Sequence, residues 1–213
     1  MSVEWYKLSA EKALQQAGST STGLNSDEAA RRLEQHGPNE LQEKAHRSQW
    51  QIFLEQFKGI LTVLLVIAAL ISAVLGDWIE AVAILIIVVL NAVLGYTQES
   101  RAEQSMEALK RMAVPLVRAR RDGQLRELSA RDLVPGGVVV LETGNIVPAD
   151  GRVLSAANLR VEEAALTGES EPVDKETDLV FDSDKALGDR RNMLYSGTIV
   201  NYGRGEFVVT GTG

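Results

Sequence analysis

GILTVLLVIAALISAVLGDWIEAVAILIIVVLNAVLGY, residues Gly59–Tyr96, decides the class of this chain. Two almost wholly apolar runs, Gly59–Gly76 and Trp78–Tyr96, are parted only at Gly76-Asp77-Trp78. Each holds about 17 to 19 residues, enough at roughly 1.5 Å per residue to cross a hydrocarbon core with little tilt. So short a connection requires a tight antiparallel hairpin. Neither run carries a polar stripe, which makes two core helices of a soluble protein the weaker reading. Lys44, Arg47 and Lys58 precede the first run and Arg101, Lys110 and Arg111 follow the second, while the tip has no basic residue. That asymmetry places both flanks on the cytoplasmic side of a cell membrane that the chain crosses more than once.

Within the runs, Glu80 lies one turn from the outer end of the second, and Asn91 about three turns further in. A carboxylate buried in a bundle is a functional candidate, but Glu80 is near enough to the interface to reach water, and a solvated side chain is favoured. The first run has no carboxylate, since Glu55 falls before it.

The remainder is polar. Across 213 residues the net charge is −7 and aromatic residues make up 5%, which argues against binding nucleic acid by a basic stripe or by base stacking. With no cysteine there is no disulfide scaffold and no thiolate metal site. The mean hydropathy of −0.03 averages over a very uneven distribution. The first thirty or so residues lack an apolar core long enough for a signal peptide.

Before the hairpin the pattern is helical. Leu8, Ala13, Leu14 and Ala17 recur among charged positions and Gly18 is a stop; Asn25-Ser26-Asp27-Glu28 offers an N-cap, and Gly37-Pro38 ends the second helix. After the hairpin, Gln98–Arg111 continues as a charged helix that Pro115 ends. From Leu116 the texture changes to strands. Leu116–Arg120 and Gln124–Leu128 flank Arg121-Asp122-Gly123, a hairpin signal, and Val138–Leu141 reads as a buried strand. Further strands are expected at Gly151–Leu154, Leu159–Glu162, Met193–Val200 and Glu206–Thr210, which together suggest a compact all-β sandwich or roll. The run Glu162–Pro172 places one carboxylate, Glu169, on a short turn beside Gly168.

Thr167-Gly168-Glu169-Ser170 resembles the signature loop of the actuator domain of P-type cation-transporting ATPases. Landmarks of that family recur in order: Leu24–Leu41 resembles its amino-terminal module, and Tyr96–Glu103 with Glu107–Lys110 its stalk. Arg131–Gly136, Val147–Arg152, Leu159–Glu163 and Asn192–Thr198 resemble further actuator segments. The pattern is closest to type II, calcium-type pumps; heavy-metal pumps typically bring cysteine-containing modules. Two positions depart from the family: Gly137 and Asn145 stand where it usually or often has aspartate, both at turns that tolerate them.

The resemblance implies a multi-domain α+β membrane protein. Its parts are a helical cytoplasmic module over residues 1–57, transmembrane helices over 58–76 and 78–96, a stalk over 97–114, and an all-β distorted jelly-roll actuator over 115–213. It also implies that Glu169 positions the water that hydrolyses an aspartyl-phosphate, with Thr167 and Gly168 shaping the loop and Ser170 counted with them among the catalytic residues. That step needs a base that holds water in line with phosphorus, and Gly168 lets the backbone approach a phosphorylated partner closely. The family's Asp-Lys-Thr-Gly-Thr motif is absent, because Asp184-Lys185 is followed by Ala186-Leu187-Gly188, and no phosphate-cradling glycine loop occurs. The expectation is therefore the front portion of a pump, inactive alone. ATP and Mg2+ would bind outside this chain, and its partners are the phosphorylation and nucleotide domains, the bilayer and the transported cation. A non-catalytic, membrane-anchored β module that regulates another pump is the competing class.

Other groups carry less. Asp174, Glu176, Asp178, Asp182, Asp184 and Asp189 lack the EF-hand spacing and read as a solvated loop. His36 and His46 are isolated, Ser170 has no histidine partner nearby in sequence, and Arg190 and Arg191 read as surface charge.

Overall fold

Side-chain caps open the first two helices, α1 (Ala10–Gln16) and α2 (Ser26–His36). The Lys12 N–H donates to Ser9 Oγ at 3.3 Å and the Glu28 N–H to Asn25 Oδ1 at 2.7 Å. Gly37 N–H closes α2 on the Leu33 carbonyl. The computed structural model describes residues 3–40, 48–112 and 114–213; Lys44, His46 and Arg47 lie outside the described residues. Two compact units form, one of residues 3–40 with 114–213, the other of residues 48–112.

The second unit is helical: α3 (Gln49–Glu55), α4 (Ile60–Leu75) and α5 (Trp78–Met112). A stretch of α5, Trp78–Met106, is the one described helix long and apolar enough by itself to cross a membrane. The first apolar run does not make an equal partner. Its helix α4 has 16 residues, about 24 Å at 1.5 Å each, and it joins the helical segment Gln49–Lys58 across a 68° bend. Gly59, extended at φ −62° and ψ 137°, breaks the helix there, and Thr62 Oγ donates to the Gln56 carbonyl below the break. Phe53 packs edge-on against Phe57 and Tyr96, filling the angle. α4 and α5 fold back on each other through Ala69, Ala81, Val88 and Ala92, all buried; small side chains let helices approach closely. The other faces are apolar and open, with Val74 and Ile79 each 87% exposed. Glu80 and Asn91 are exposed.

The first unit is built on strands β1 (Leu116–Arg121), β2 (Gln124–Ser129), β3 (Val138–Glu142), β4 (Asp150–Glu162), β5 (Val173–Asp174), β6 (Met193–Leu194) and β7 (Ile199–Gly211), with a one-turn helix α6 (Ala164–Thr167). The order is β2-β1-β3-β7-β4-β5, every pair is antiparallel, and β6 joins β4. Asp122 and Gly123, at φ 53° and 75°, make the two-residue turn between β1 and β2. Where two strands are expected between Gly151 and Glu162, one strand of 13 residues runs through. It crosses the expected break at residues 155–158 with a bulge, Asn158 standing at φ 53° and the register against β7 shifting between Ala157 and Arg160. Val139, Leu141, Val153, Leu159, Val161, Leu194 and Phe207 form the buried core.

The amino-terminal helices are part of this unit. Leu24 bridges Arg121, Ser26 N–H and Oγ donate to Asp122 at 3.0 and 2.5 Å, and Arg32 Nη1 donates to the Ala17 and Pro135 carbonyls. Mixed helix and antiparallel sheet describes the whole.

Candidate functional site

Where β4 ends, the chain needs a turn that carries a side chain outward without losing its own footing. Glu163 supplies the footing: its carbonyl accepts the N–H groups of Leu166 and Thr167 at 2.8 and 3.0 Å and the Thr167 hydroxyl at 3.2 Å. These bonds close α6. Gly168, at φ 77°, ends it in the left-handed conformation, which costs a residue with a Cβ about 1 kcal/mol or more. The Glu169 N–H then donates to Thr167 Oγ1 at 3.2 Å. Thr167, Gly168, Glu169 and Ser170 are all exposed. Among the described residues the Glu169 carboxylate makes no hydrogen bond or ion pair, so it faces outward and free.

Under the loop lies an ion pair that sequence reading does not single out. The Glu163 carboxylate, 1% exposed, accepts from Lys175 Nζ, 0% exposed, at 2.5 Å. Burial holds the Lys175 ammonium below the usual lysine range, with Glu163 opposing that shift. The second Glu163 oxygen has no partner among the described residues. Lys175 follows β5, which pairs with β4 through Arg160↔Asp174 and Val161↔Val173. Both ends of the loop are thereby clamped, by backbone pairing and by a buried charge pair whose geometry tolerates little movement. The only sequence signal was the doublet Glu162-Glu163 beside the motif, and nothing local marks Lys175 as its partner.

A second buried cation lies on β4. Arg152 is fully buried and donates to five carbonyls, those of Leu8, Val153, Asn192, Thr177 and Leu179, at 2.6–3.3 Å. Desolvation pulls its guanidinium down to about 10. Asn192 Nδ2 adds bonds to the Tyr6 and Leu179 carbonyls. Together they tie the amino-terminal segment to the 177–192 loop.

The acidic residues Asp174, Glu176 and Asp184 pair separately: Asp174 with Arg160, Glu176 with Arg191, and Asp184 with Lys7 and the Tyr6 hydroxyl. Among the described residues no group of three or more His, Cys, Asp or Glu comes together to hold a metal. Arg190 is more than loose surface charge, since its guanidinium lies 4.1 Å over the Tyr6 ring. His36 sits exposed in the last turn of α2.

Residues 111–213 match the model of the P-type ATPase actuator domain, and residues 5–72 that of the cation transporter/ATPase N-terminus. A calcium-transporting ATPase of Listeria monocytogenes is 44% identical over 99% of this chain and 24% of its own length. Calcium-transporting ATPase 1 of Bacillus cereus is 48% identical over 90% of this chain and 22% of its own. A sodium/potassium exporting P-type ATPase of Schizosaccharomyces pombe is 40% identical over 90% of this chain and 19% of its own. The chain therefore spans about a quarter or less of these relatives. Its strand-built unit matches the actuator domain and its amino-terminal part the cation-transporter segment that precedes it, so the chain belongs to the P-type ATPases.

Proposed function

We propose that the chain is the front part of an ATP-driven cation pump of the calcium type, and that Glu169 promotes hydrolysis of an aspartyl-phosphate carried by another domain. The observation that carries this reading is the exposed, unpaired Glu169 carboxylate on a loop clamped at both ends. A water held by that carboxylate attacks phosphorus; its proton passes to Glu169 as the bond to the aspartyl oxygen breaks, releasing phosphate and the aspartate carboxylate. Thr167 Oγ1 orients the Glu169 backbone, and Gly168 leaves the approach open, with no atom within 4 Å of where a Cβ would stand. ATP and Mg2+ are read as bound by partner domains of the same pump.

The apolar faces of α4 and α5 suit lipid or further spans, and we read the pair as a transmembrane hairpin with the strand-built unit, a distorted jelly roll, on the cytoplasmic side. Calcium is favoured by the names of the two bacterial relatives. In the complete pump, Glu169→Gln leaves phosphorylation from ATP intact and slows phosphoenzyme breakdown by roughly 100-fold or more, the scale of removing a general base. Breakdown at the unsubstituted rate refutes the assignment. Calcium-independent turnover refutes the ion.

A further inference from the structure

Thr167 is held from two directions. Its hydroxyl donates to the Glu163 carbonyl and accepts the Glu169 N–H, both at 3.2 Å. Those two bonds select one χ1 well of a β-branched side chain and so aim the methyl group as well. Against α6 packs the 3-10 turn Leu187–Asp189. A Cβ at its central residue, Gly188, would lie 2.7 Å from Thr167 Cγ2. Gly188 does not occupy the left-handed region, so its backbone admits alanine; the Thr167 methyl does not.

The turn cannot simply retreat. Tyr195 Oη donates to the Leu187 carbonyl at 3.4 Å, and burial pushes that phenol up to about 12. Arg190 donates to the Lys185 carbonyl at 3.0 Å and stacks on Tyr6. Upstream, Asn192 and Arg152 pin the Leu179 carbonyl. With the turn braced, a group added at Gly188 pushes the Thr167 methyl. The hydroxyl turns with it, away from the Glu169 amide.

We propose that Gly188 is a positioning residue for the Glu169 loop: the absence of its side chain lets the Leu187–Asp189 turn press on the Thr167 methyl and hold the Glu169 backbone. This rests on the proposed role of Glu169. It adds a residue remote in sequence from the motif, acting through a single methyl contact.

A double-mutant cycle in the complete pump tests it, because Thr167→Ser keeps the hydroxyl and removes only the methyl. Gly188→Ala slows phosphoenzyme breakdown roughly tenfold or more in the threonine background, as expected of a displacement near 1 Å at a reacting group. In the Thr167→Ser background the same substitution changes the rate by less than about twofold, the mark of two coupled sites. Equal slowing in both backgrounds, or none in either, overturns the proposal. Should Glu169→Gln itself break down at the unsubstituted rate, the proposed site falls. The contact is then read separately in the 213-residue chain from the Glu169 amide resonance. That resonance moves on Gly188→Ala with threonine at position 167 and stays with serine; movement in both, or in neither, refutes the contact. The same measurement decides the matter if Gly188→Ala yields no phosphoenzyme.

Discussion

Replacing Lys175 with methionine keeps the length and apolar stem of the side chain and removes its charge. The Glu163 carboxylate, 1% exposed and with one oxygen already unpartnered among the described residues, is then left without the Lys175 cation it binds. Removing one member of a buried pair typically costs about 3–5 kcal/mol. An upper bound comes from protonation. A stranded carboxylate escapes by taking a proton, at about 1.36 kcal/mol for each pH unit above the ordinary glutamate value of ~4.3, or about 3.7 kcal/mol at pH 7. The expected loss for Lys175→Met is therefore about 3–4 kcal/mol at pH 7, falling to about 1 kcal/mol at pH 5. Adding Glu163→Leu, which removes the stranded charge, returns the protein to within about 1 kcal/mol of the original, since an apolar pair of similar volume fills the site. Hydrogen exchange of the buried β4–β7 amides, slow enough to report opening of the unit, measures these differences. A loss below about 1 kcal/mol for Lys175→Met at pH 7, the range of solvated pairs, refutes the picture of a dry clamp under the loop.

Arg152→Met removes hydrogen bonds to five carbonyls, of which those of Leu179 and Asn192 keep another donor, and lowers stability by about 3 kcal/mol or more, by the same exchange measurement. Arg152→Lys does not recover it, because a single ammonium cannot reach all five; full recovery by lysine refutes the bonding picture. At the other end of the sheet, hydrogen bonds from the Ser26 hydroxyl and backbone hold Asp122 below the usual aspartate range. A depressed carboxylate stabilises above its ordinary value and loses that contribution as pH falls through the lower folded value. The Ser26 amide resonance therefore shifts on acidification below about pH 4 and is flat from there to neutrality; a transition near pH 6 refutes the link.

Much of the frame is legible locally. Asn25 with Glu28 three residues on specifies an N-cap wherever that helix packs. Asp122-Gly123 specifies a two-residue turn because both positions need positive φ. The apolar runs announce helices with no polar face, and Thr167–Ser170 is legible because its chemistry sits within one turn. The bend at Gly59 is less so: glycine permits it, but the aromatic cluster of Phe53, Phe57 and Tyr96 sets it, and Tyr96 lies far along the chain. The break expected over residues 155–158 is instead strand with a bulge at Asn158, since pairing with β7 on both sides outweighs the local preference there.

Composition and short-range pattern alone determined the caps, the turns, the apolar helices and the position of the Glu169 loop, because those features depend on residues within a few positions of one another. The tertiary structure alone decided that Glu163 meets Lys175 and that Arg152 gathers carbonyls from Leu8 to Asn192. It also decided that Gly188 lies against Thr167. Each of these joins segments that become neighbours only when β4 pairs with β5, β6 and β7. A buried charge is identical in sequence to an exposed one, and only the strands around it remove the water.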